Sequence, residues 1–336
     1  MKKAVFLLVS MLVFVSLPAA ESVPLPELMK PGMIAVSGER LFITENASIY
    51  IYSLKNYKLI KKFGKEGEGP QEFKVNPFGP GMVIYPFSGQ LLINSSNKLS
   101  IFTQDGEFVK EIKASAFSIF TPIKDRFIGT ASASGPNNKP VISVHLFNAK
   151  LEKGKELYRS DVEIGPGANF NMPINAFYTQ VYKDKIYLTA GKEGFVIDVL
   201  DAGGKKLYRI RKDYEPLKIT DDYKKKAMHW FKNESPFKQF VGSVFKVTFK
   251  DHFPAVKDII VDNDQIYALT YKTQKDKNEW IIMDLKGKEL KRKYLPLPPE
   301  APYFALNTYT IYDNVYYFLA ENEDEEEWEL HMEKIN

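Results

Sequence analysis

Met33-Ile34-Ala35-Val36, Ser37-Gly38-Glu39-Arg40 and Leu41-Phe42-Ile43-Thr44 follow one another as an apolar run, a tight polar turn and a second apolar run. A matching pair comes next: Ile49-Tyr50-Ile51-Tyr52-Ser53-Leu54 and Tyr57-Lys58-Leu59-Ile60-Lys61-Lys62-Phe63, on either side of Lys55-Asn56. Short runs of Val, Ile, Tyr, Phe and Thr bounded by Gly, Asn, Asp and Lys read as consecutive antiparallel strands, here four in a row. The second run then returns as Leu91-Leu92-Ile93-Asn94, Phe127-Ile128-Gly129-Thr130, Ile186-Tyr187-Leu188-Thr189, Ile266-Tyr267-Ala268-Leu269 and Val315-Tyr316-Tyr317-Phe318. Third runs follow these at Leu99, Ile142, Phe195, Trp280 and Trp328. Repeats of roughly 40 to 50 residues carrying several strands each indicate a propeller or a similar array. The expectation is an all-β fold, a six-bladed β-propeller of four-stranded antiparallel blades.

Gln104-Asp105-Gly106, Ala202-Gly203-Gly204 and Leu285-Lys286-Gly287 separate third from fourth runs, where glycine supplies the positive φ of a tight hairpin. The last unit stops at Asn336 after its third run. The segment Val23 to Leu28 is therefore expected to supply the missing outermost strand and close the ring. Pro24 and Pro26 suit only an outer edge, since neither can donate a ladder hydrogen bond.

The second runs start 50, 36, 59, 80 and 49 positions apart, and the interval of 80 is too long for a plain blade. It predicts a helical insertion over about 220–245, between blades four and five. Thr220 is a helix N-cap followed by Asp221 and Asp222, with Tyr223, Ala227, Trp230 and Phe231 at helical spacing. Ser235-Pro236 is expected to start a second helix with Phe237, Phe240, Val241 and Val244 on one stripe.

Residues 1–20 read as a secretory signal peptide: Lys2 and Lys3, the apolar stretch Ala4 to Leu17, then Pro18-Ala19-Ala20. Residues 21–336 are expected to form one domain, exported to the periplasm or the extracellular space, without stable membrane insertion after cleavage. The chain has no cysteine, which removes disulfides, thiolate metal sites and thiol nucleophiles together. The formal charge is +4, and without Lys2 and Lys3 it is 44 basic against 42 acidic side chains, which gives no argument for nucleic acid.

Lys62-Phe63-Gly64-Lys65-Glu66-Gly67-Glu68-Gly69-Pro70-Gln71-Glu72-Phe73 resembles the glycine-rich segment after the first blade of bacterial exported six-bladed β-propellers related to the NHL-repeat group. His252-Phe253-Pro254-Ala255-Val256-Lys257-Asp258-Ile259-Ile260-Val261-Asp262-Asn263-Asp264 is similar to that group's proline-led entry to an inner strand. The resemblance implies the same ring and no single activity. Physically, Gly67 and Gly69 permit a folded link between blades, Pro70 fixes its exit, and Phe73 is expected to plug the core between them.

Relatives of that shape include calcium-dependent lactonases and zinc-assisted lyases. A zinc centre wants about three convergent ligands. Of His145, His229, His252 and His331, only His252 precedes an inner strand closely enough to reach the central funnel. Oxygen ligands for calcium would come from strand-end positions such as Asn76, Asn175, Asp258 and Asn307. The run Glu321-Asn322-Glu323-Asp324-Glu325-Glu326-Glu327 reads as a solvated hairpin tip. No phosphate-cradling loop opens a helix, and no Gly-x-Ser-x-Gly elbow is present. Most of the 24 Phe and 19 Tyr lie in strands as filling between blades, leaving Tyr178, Tyr303 and Tyr309 as candidates for the funnel.

The sequence therefore points to a binding module for a protein, peptide or glycan, held on the face carrying the Phe78 to Gly81 loop and the insertion. No catalytic residue is assigned, no metal ligand is assigned and no cofactor is required. The alternative is a metal-assisted hydrolase or lyase of the calcium type using the funnel, with calcium as its cofactor. Candidate funnel residues under either reading are Asn76, Asn175, Tyr178, His252, Asp258, Tyr303 and Asn307.

Overall fold

Leu41-Phe42-Ile43-Thr44 is buried along its whole length, and alternate residues go to different neighbours. In a computed structural model, which describes residues 21–75, 81–115, 118–163, 167, 169–173, 177–190, 193–235, 237–297 and 308–335, this pattern recurs around a ring. The expected leader, residues 1–20, lies outside the described residues.

Strand β1 (Glu21–Pro24) comes first, and a complete blade follows: β2 (Ile34–Ser37), β3 (Arg40–Glu45), β4 (Ser48–Ser53) and β5 (Leu59–Phe63). Two short parallel strands, β6 (Lys65–Glu66) and β7 (Glu72–Phe73), occupy the link to the next blade. That blade is β8 (Val83–Phe87), β9 (Gln90–Ser95), β10 (Lys98–Thr103) and β11 (Phe108–Lys113). Next come β12 (Phe120–Ile123), β13 (Arg126–Ser134), β14 (Pro140–Phe147) and β15 (Lys153–Glu163). After β16 (Asn169–Met172) stand β17 (Tyr178–Tyr182), β18 (Lys185–Thr189), β19 (Phe195–Asp201) and β20 (Lys206–Lys212). Helix α1 (Asp221–Asn233) and β21 (Lys246–Phe249) precede β22 (Asp258–Asp262), β23 (Gln265–Gln274), β24 (Lys277–Asp284) and β25 (Glu289–Pro296). The order ends with β26 (Tyr309–Tyr312), β27 (Val315–Asn322) and β28 (Glu327–Lys334).

Five blades are antiparallel meanders in chain order, the sixth joins β26, β27 and β28 to β1, and the inner strands β2, β8, β12, β17, β22 and β26 touch one another in that cyclic sequence. Because every blade is covered on both faces, its middle strands read as continuous apolar runs instead of alternating ones. Leu41 and Ile43 pack with Leu319 and Leu330 of the last blade, whereas Phe42 packs with Ile84 and Ile93 of the next. Similar clusters fill the other interfaces, from Leu92 with Phe127, and Ile128 with Ile186, to Tyr187 with Ile266 and Tyr267 with Tyr316. The interfaces form a closed cycle, so the ring has one distributed core.

Strand β1 closes that cycle. It pairs antiparallel with β28, Glu21 opposite Met332 and Pro24 opposite Glu329, and serves as the outermost strand of the last blade. It is shorter than the Val23 to Leu28 expected, because Leu25 and Leu28 leave the sheet and are buried against the first blade. The turn after them is pinned by Glu45, whose carboxylate accepts from the amides of Met29 and Lys30 and from the Tyr50 hydroxyl. Burial alone would raise this carboxyl, but those hydrogen bonds outweigh it and hold it below its ordinary value of 4.5. A depressed carboxyl contributes stability that is complete above its unfolded value and is lost as the pH falls through its lower folded value. The unfolding midpoint of the native chain should thus fall below pH 4.5 more steeply than that of Glu45→Gln. Parallel acid limbs in a thermal-melt series would show that this clamp carries nothing.

The insertion differs from expectation in two ways. It lies between the β17–β20 blade and the β22–β25 blade, which are the fifth and sixth blades when counting from the one β1 enters, not the fourth and fifth. The shift arises because the chain starts in the closing blade. Among the described residues of the insertion one α-helix forms: Thr220 caps α1 by accepting from the Tyr223 amide, but Lys238–Phe240 is a single 3-10 turn. Gly242 at φ +87 reverses the chain there, and its amide donates to the Phe245 carbonyl, so the stripe at Phe237, Phe240, Val241 and Val244 cannot continue as a helix. Among the described residues no helix is long and apolar enough to cross a membrane.

Candidate functional site

The two faces of the ring are built differently. On the face where inner strands end, the first two strands of each blade are joined by tight turns with positive φ, such as Lys183-Asp184, Asn263-Asp264 and Asp313-Asn314. Two consecutive left-handed residues give the hairpin whose twist matches its strands. Neighbouring turns are latched together. Lys124 pairs with Asp184 at 3.3 Å, Lys183 with Asp264 at 2.7 Å, the Asp313 amide donates to Asp262, and the Gly38 amide donates to the Tyr312 hydroxyl. These turns ring a central cavity of about 460 Å³, lined by residues of all six inner strands. Burial pushes the Asp262 carboxyl at this rim up, against the opposing pull of the Asp313 amide.

On the opposite face, where inner strands begin, two connections fold together into a cap. Strand β16, from the link before β17, pairs in parallel with β21, Asn169 opposite Lys246 and Met172 opposite Phe249. Helix α1 lays Trp230 and Phe231 onto Met172, with Val241, Val247 and Phe249 around them. Phe170 packs edge-on to Phe245 at 4.5 Å. This is a small core of its own, assembled from segments on either side of one blade. Sequence reading missed it, because four residues with two apolar side chains carry no signal for a parallel partner some 75 positions away.

A row of rings joins the cap to the neighbouring blade. Phe253 stacks on Tyr271 at 4.4 Å with an interplanar angle of 20°, and Tyr223 of α1 meets Phe253 edge-on at 4.8 Å. Lys257 lies 5.9 Å from the centre of the Tyr271 ring and Lys272 4.5 Å from that of Tyr214. The Tyr214 phenol is pushed up to about 12, chiefly by burial, and it donates to the buried carboxylate of Glu279. Glu279 also accepts from Thr270 at 2.9 Å and from Arg292 at 3.0 Å, so the root of the insertion is tied to a fully paired charge. The rings Tyr223, Phe253 and Tyr271 remain half-buried, presenting aromatic surface beside two ammonium groups.

Of the residues expected in the funnel, Asn76, Asn175, Tyr303 and Asn307 lie outside the described residues, as does the stretch 78–80 of the Phe78 to Gly81 loop. Tyr178 begins β17, half-buried, and its amide donates to the Thr189 hydroxyl at 3.1 Å. His252 is exposed at the base of the cap, bridged to Lys218. Asp258 opens β22 at 5 % exposure. It accepts from the Tyr309 hydroxyl at 2.9 Å and from the Ile259 amide at 2.8 Å. Asp258 and Tyr309 are thus brought together across two blades, while His252 stays with the cap.

The other histidines sit away from the axis. His145 is buried in β14, with Nε2 2.9 Å from the Ser143 hydroxyl and Nδ1 3.2 Å from the Gly154 carbonyl. His331 stacks on Phe318, and His229 is exposed on α1. Among the described residues, the one set of three carboxylates close enough to share an ion is Glu325, Glu327 and Glu329, at the β27–β28 hairpin. In the glycine-rich link, Gly67 has φ +155 and Gly69 donates to Glu72, while Phe73 is fully buried between the first two blades against Phe102 and Gly64. Pro70 occupies the turn at the end of that link. No protein-family model matches this chain, and no curated protein is similar to it.

Proposed function

We propose that the chain is an exported binding module that holds a protein, peptide or glycan on the face where the inner strands begin, against the cap. The observation that carries this reading is the asymmetry between the faces. One face is reduced to minimal hairpins latched to each other. The other carries the long connection from β20 to β22 and a second connection that together build an additional core and leave stacked rings and ammonium groups at the surface. Elaborated connections on a rigid scaffold are where recognition concentrates. Aromatic faces with polar edges bind both sugar rings and peptide side chains, and Lys257 and Lys272 would favour a ligand bearing carboxylates.

The test is a panel of peptides and glycans offered to the native protein, to Phe253→Ala/Tyr271→Ala, and to Lys124→Glu/Asp184→Lys on the opposite face. Retention of a panel member that weakens about tenfold or more in the first variant and survives in the second is expected. Retention of nothing, or loss only in the second variant, would overturn the reading.

A further inference from the structure

Two oppositely charged patches lie on the cap face, and each keeps charged side chains that have no oppositely charged partner among the described residues. The first is the outer side of α1, where Lys224, Lys225, Met228, His229 and Lys232 border a shallow hollow of about 440 Å³. Lys225 and Lys232 are exposed and make no ion pair among the described residues, and Lys224 meets only the exposed Asp221 at 3.2 Å. Met228, half-buried, is the apolar centre of this basic surface.

The second patch is the hairpin joining β27 to β28. From Glu321 to Glu329 it holds seven carboxylates and no lysine or arginine. None of Glu321, Glu323, Asp324, Glu325, Glu326 and Glu327 has a basic partner among the described residues. Partial desolvation and the neighbouring Glu325 push the Glu327 carboxyl up, as unrelieved like charge requires. This patch too has an apolar centre. The Trp328 indole donates to the Met29 carbonyl at 3.0 Å, and Met29 beside it is 85 % exposed, the most exposed large apolar side chain described.

Both patches are on the same side of the ring. The β27–β28 hairpin joins the second and third strands of a blade, and the insertion joins a fourth strand to the next inner strand, and in a meander both connections fall where inner strands begin. We propose that the chain pairs with a second copy of itself through this face, about a two-fold axis that sets α1 of each copy on the β27–β28 hairpin of the other. The inference rests on the reading of this face as the interaction surface and names its partner. A two-fold axis running between the opposed faces and bisecting the two patches makes each contact twice, lysine to carboxylate and Met228 to Met29 and Trp328. A foreign acidic or basic partner would satisfy one patch and leave the other exposed. Self-pairing satisfies both with chemistry the chain already carries, apolar at the centre and charged at the rim.

The test is sedimentation equilibrium on the intact protein and two charge-reversed variants, Lys224→Glu/Lys225→Glu/Lys232→Glu and Glu323→Lys/Asp324→Lys/Glu325→Lys/Glu326→Lys/Glu327→Lys. The native chain is expected to form a dimer that weakens about tenfold or more between about 0.05 and 0.5 M salt. Each variant alone should be monomeric, since it faces like charge with like. An equimolar mixture should recover a heterodimer, because each reversed patch then meets its complement, and this recovery also shows that both variants are folded. A native chain that stays monomeric at about 100 μM, or a dimer that both variants retain, overturns the proposal. A monomeric native chain that still retains a panel ligand would leave the binding reading standing while self-pairing fails.

Discussion

Gly287→Ala is expected to destabilise the ring by about 2–5 kcal/mol, and the reason is a contact between blades. Gly287 has φ +88, where an L side chain already costs about 1–2 kcal/mol. A Cβ there would also run into Cγ2 of Ile210, a buried and β-branched side chain of the preceding blade with little freedom to move away. Around it the turn is fixed on both sides. Asp284 accepts from the Lys286 and Lys288 amides at 2.9 Å each, and the Leu285 carbonyl accepts from Tyr208 of the preceding blade. The same position recurs: a Cβ on Gly204 would run into Leu157, and one on Gly106 would come within 3.1 Å of Phe63, each in the blade before. Gly38 is the control, at φ +55 with nothing within 4 Å of its Cβ direction, so Gly38→Ala should cost only the backbone share. Urea unfolding midpoints should therefore fall in the order Gly38→Ala, Gly106→Ala, Gly287→Ala, with the last lowest. Equal losses at Gly38 and Gly287 would show that the turns do not pack on their neighbours as the structure has them.

That arrangement explains why so much of the ring can be read from the sequence. A strand buried on both faces must be apolar throughout, so Leu91-Leu92-Ile93 and Ile266-Tyr267-Ala268-Leu269 stand out without any partner being known. The turns between third and fourth strands need a left-handed residue pressed against another blade, so glycine marks Gly106, Gly204 and Gly287. What could not be read is what depends on pairing between distant segments. Nothing in Asn169-Phe170-Asn171-Met172 announces Lys246–Phe249 as its partner, and the stripe at Phe237, Phe240, Val241 and Val244 has helical spacing although Gly242 turns the chain within it. Those side chains are apolar because the cap has a core to fill. For the site, Asp258 and Tyr309 are each unremarkable strand-end residues, and only ring closure puts the phenol 2.9 Å from the carboxylate. Charge told a similar story: the acidic hairpin is plain in the sequence, but its place on the same face as the basic side of α1 follows from the meander.

Removing residues 21–30 should have the largest effect of any change considered, because this segment closes the ring and is not a decoration on it. Its loss would strip Leu25 and Leu28, at 1 % and 4 % exposure, from the cluster they share with Leu319 and Leu330. Deleting a buried leucine side chain costs about 2–5 kcal/mol, so the two together predict a loss of about 5 kcal/mol or more. Two polar consequences add to it. Glu45 would lose the Met29 and Lys30 amides, and Trp328 the Met29 carbonyl, leaving a buried carboxylate with Tyr50 as its remaining donor in this network. The freed edge of β28, now paired with β1 from Glu329 to Met332, would be open to another chain. The unfolding midpoint should drop by about 10 °C or more, with aggregation on heating. A shorter test isolates the apolar share: Leu25→Ala should account for roughly half of the loss while leaving the β1–β28 ladder in place, since Leu25 lies just beyond it. If the truncated protein instead melts within a few degrees of the native one, the first and last blades hold together through Leu41, Ile43, Leu319 and Leu330 alone, and the strand exchange contributes little. Because stability in a ring is carried by interfaces between neighbours, a weak closure would let the first and last blades part first, whereas a strong one makes the whole cycle unfold together.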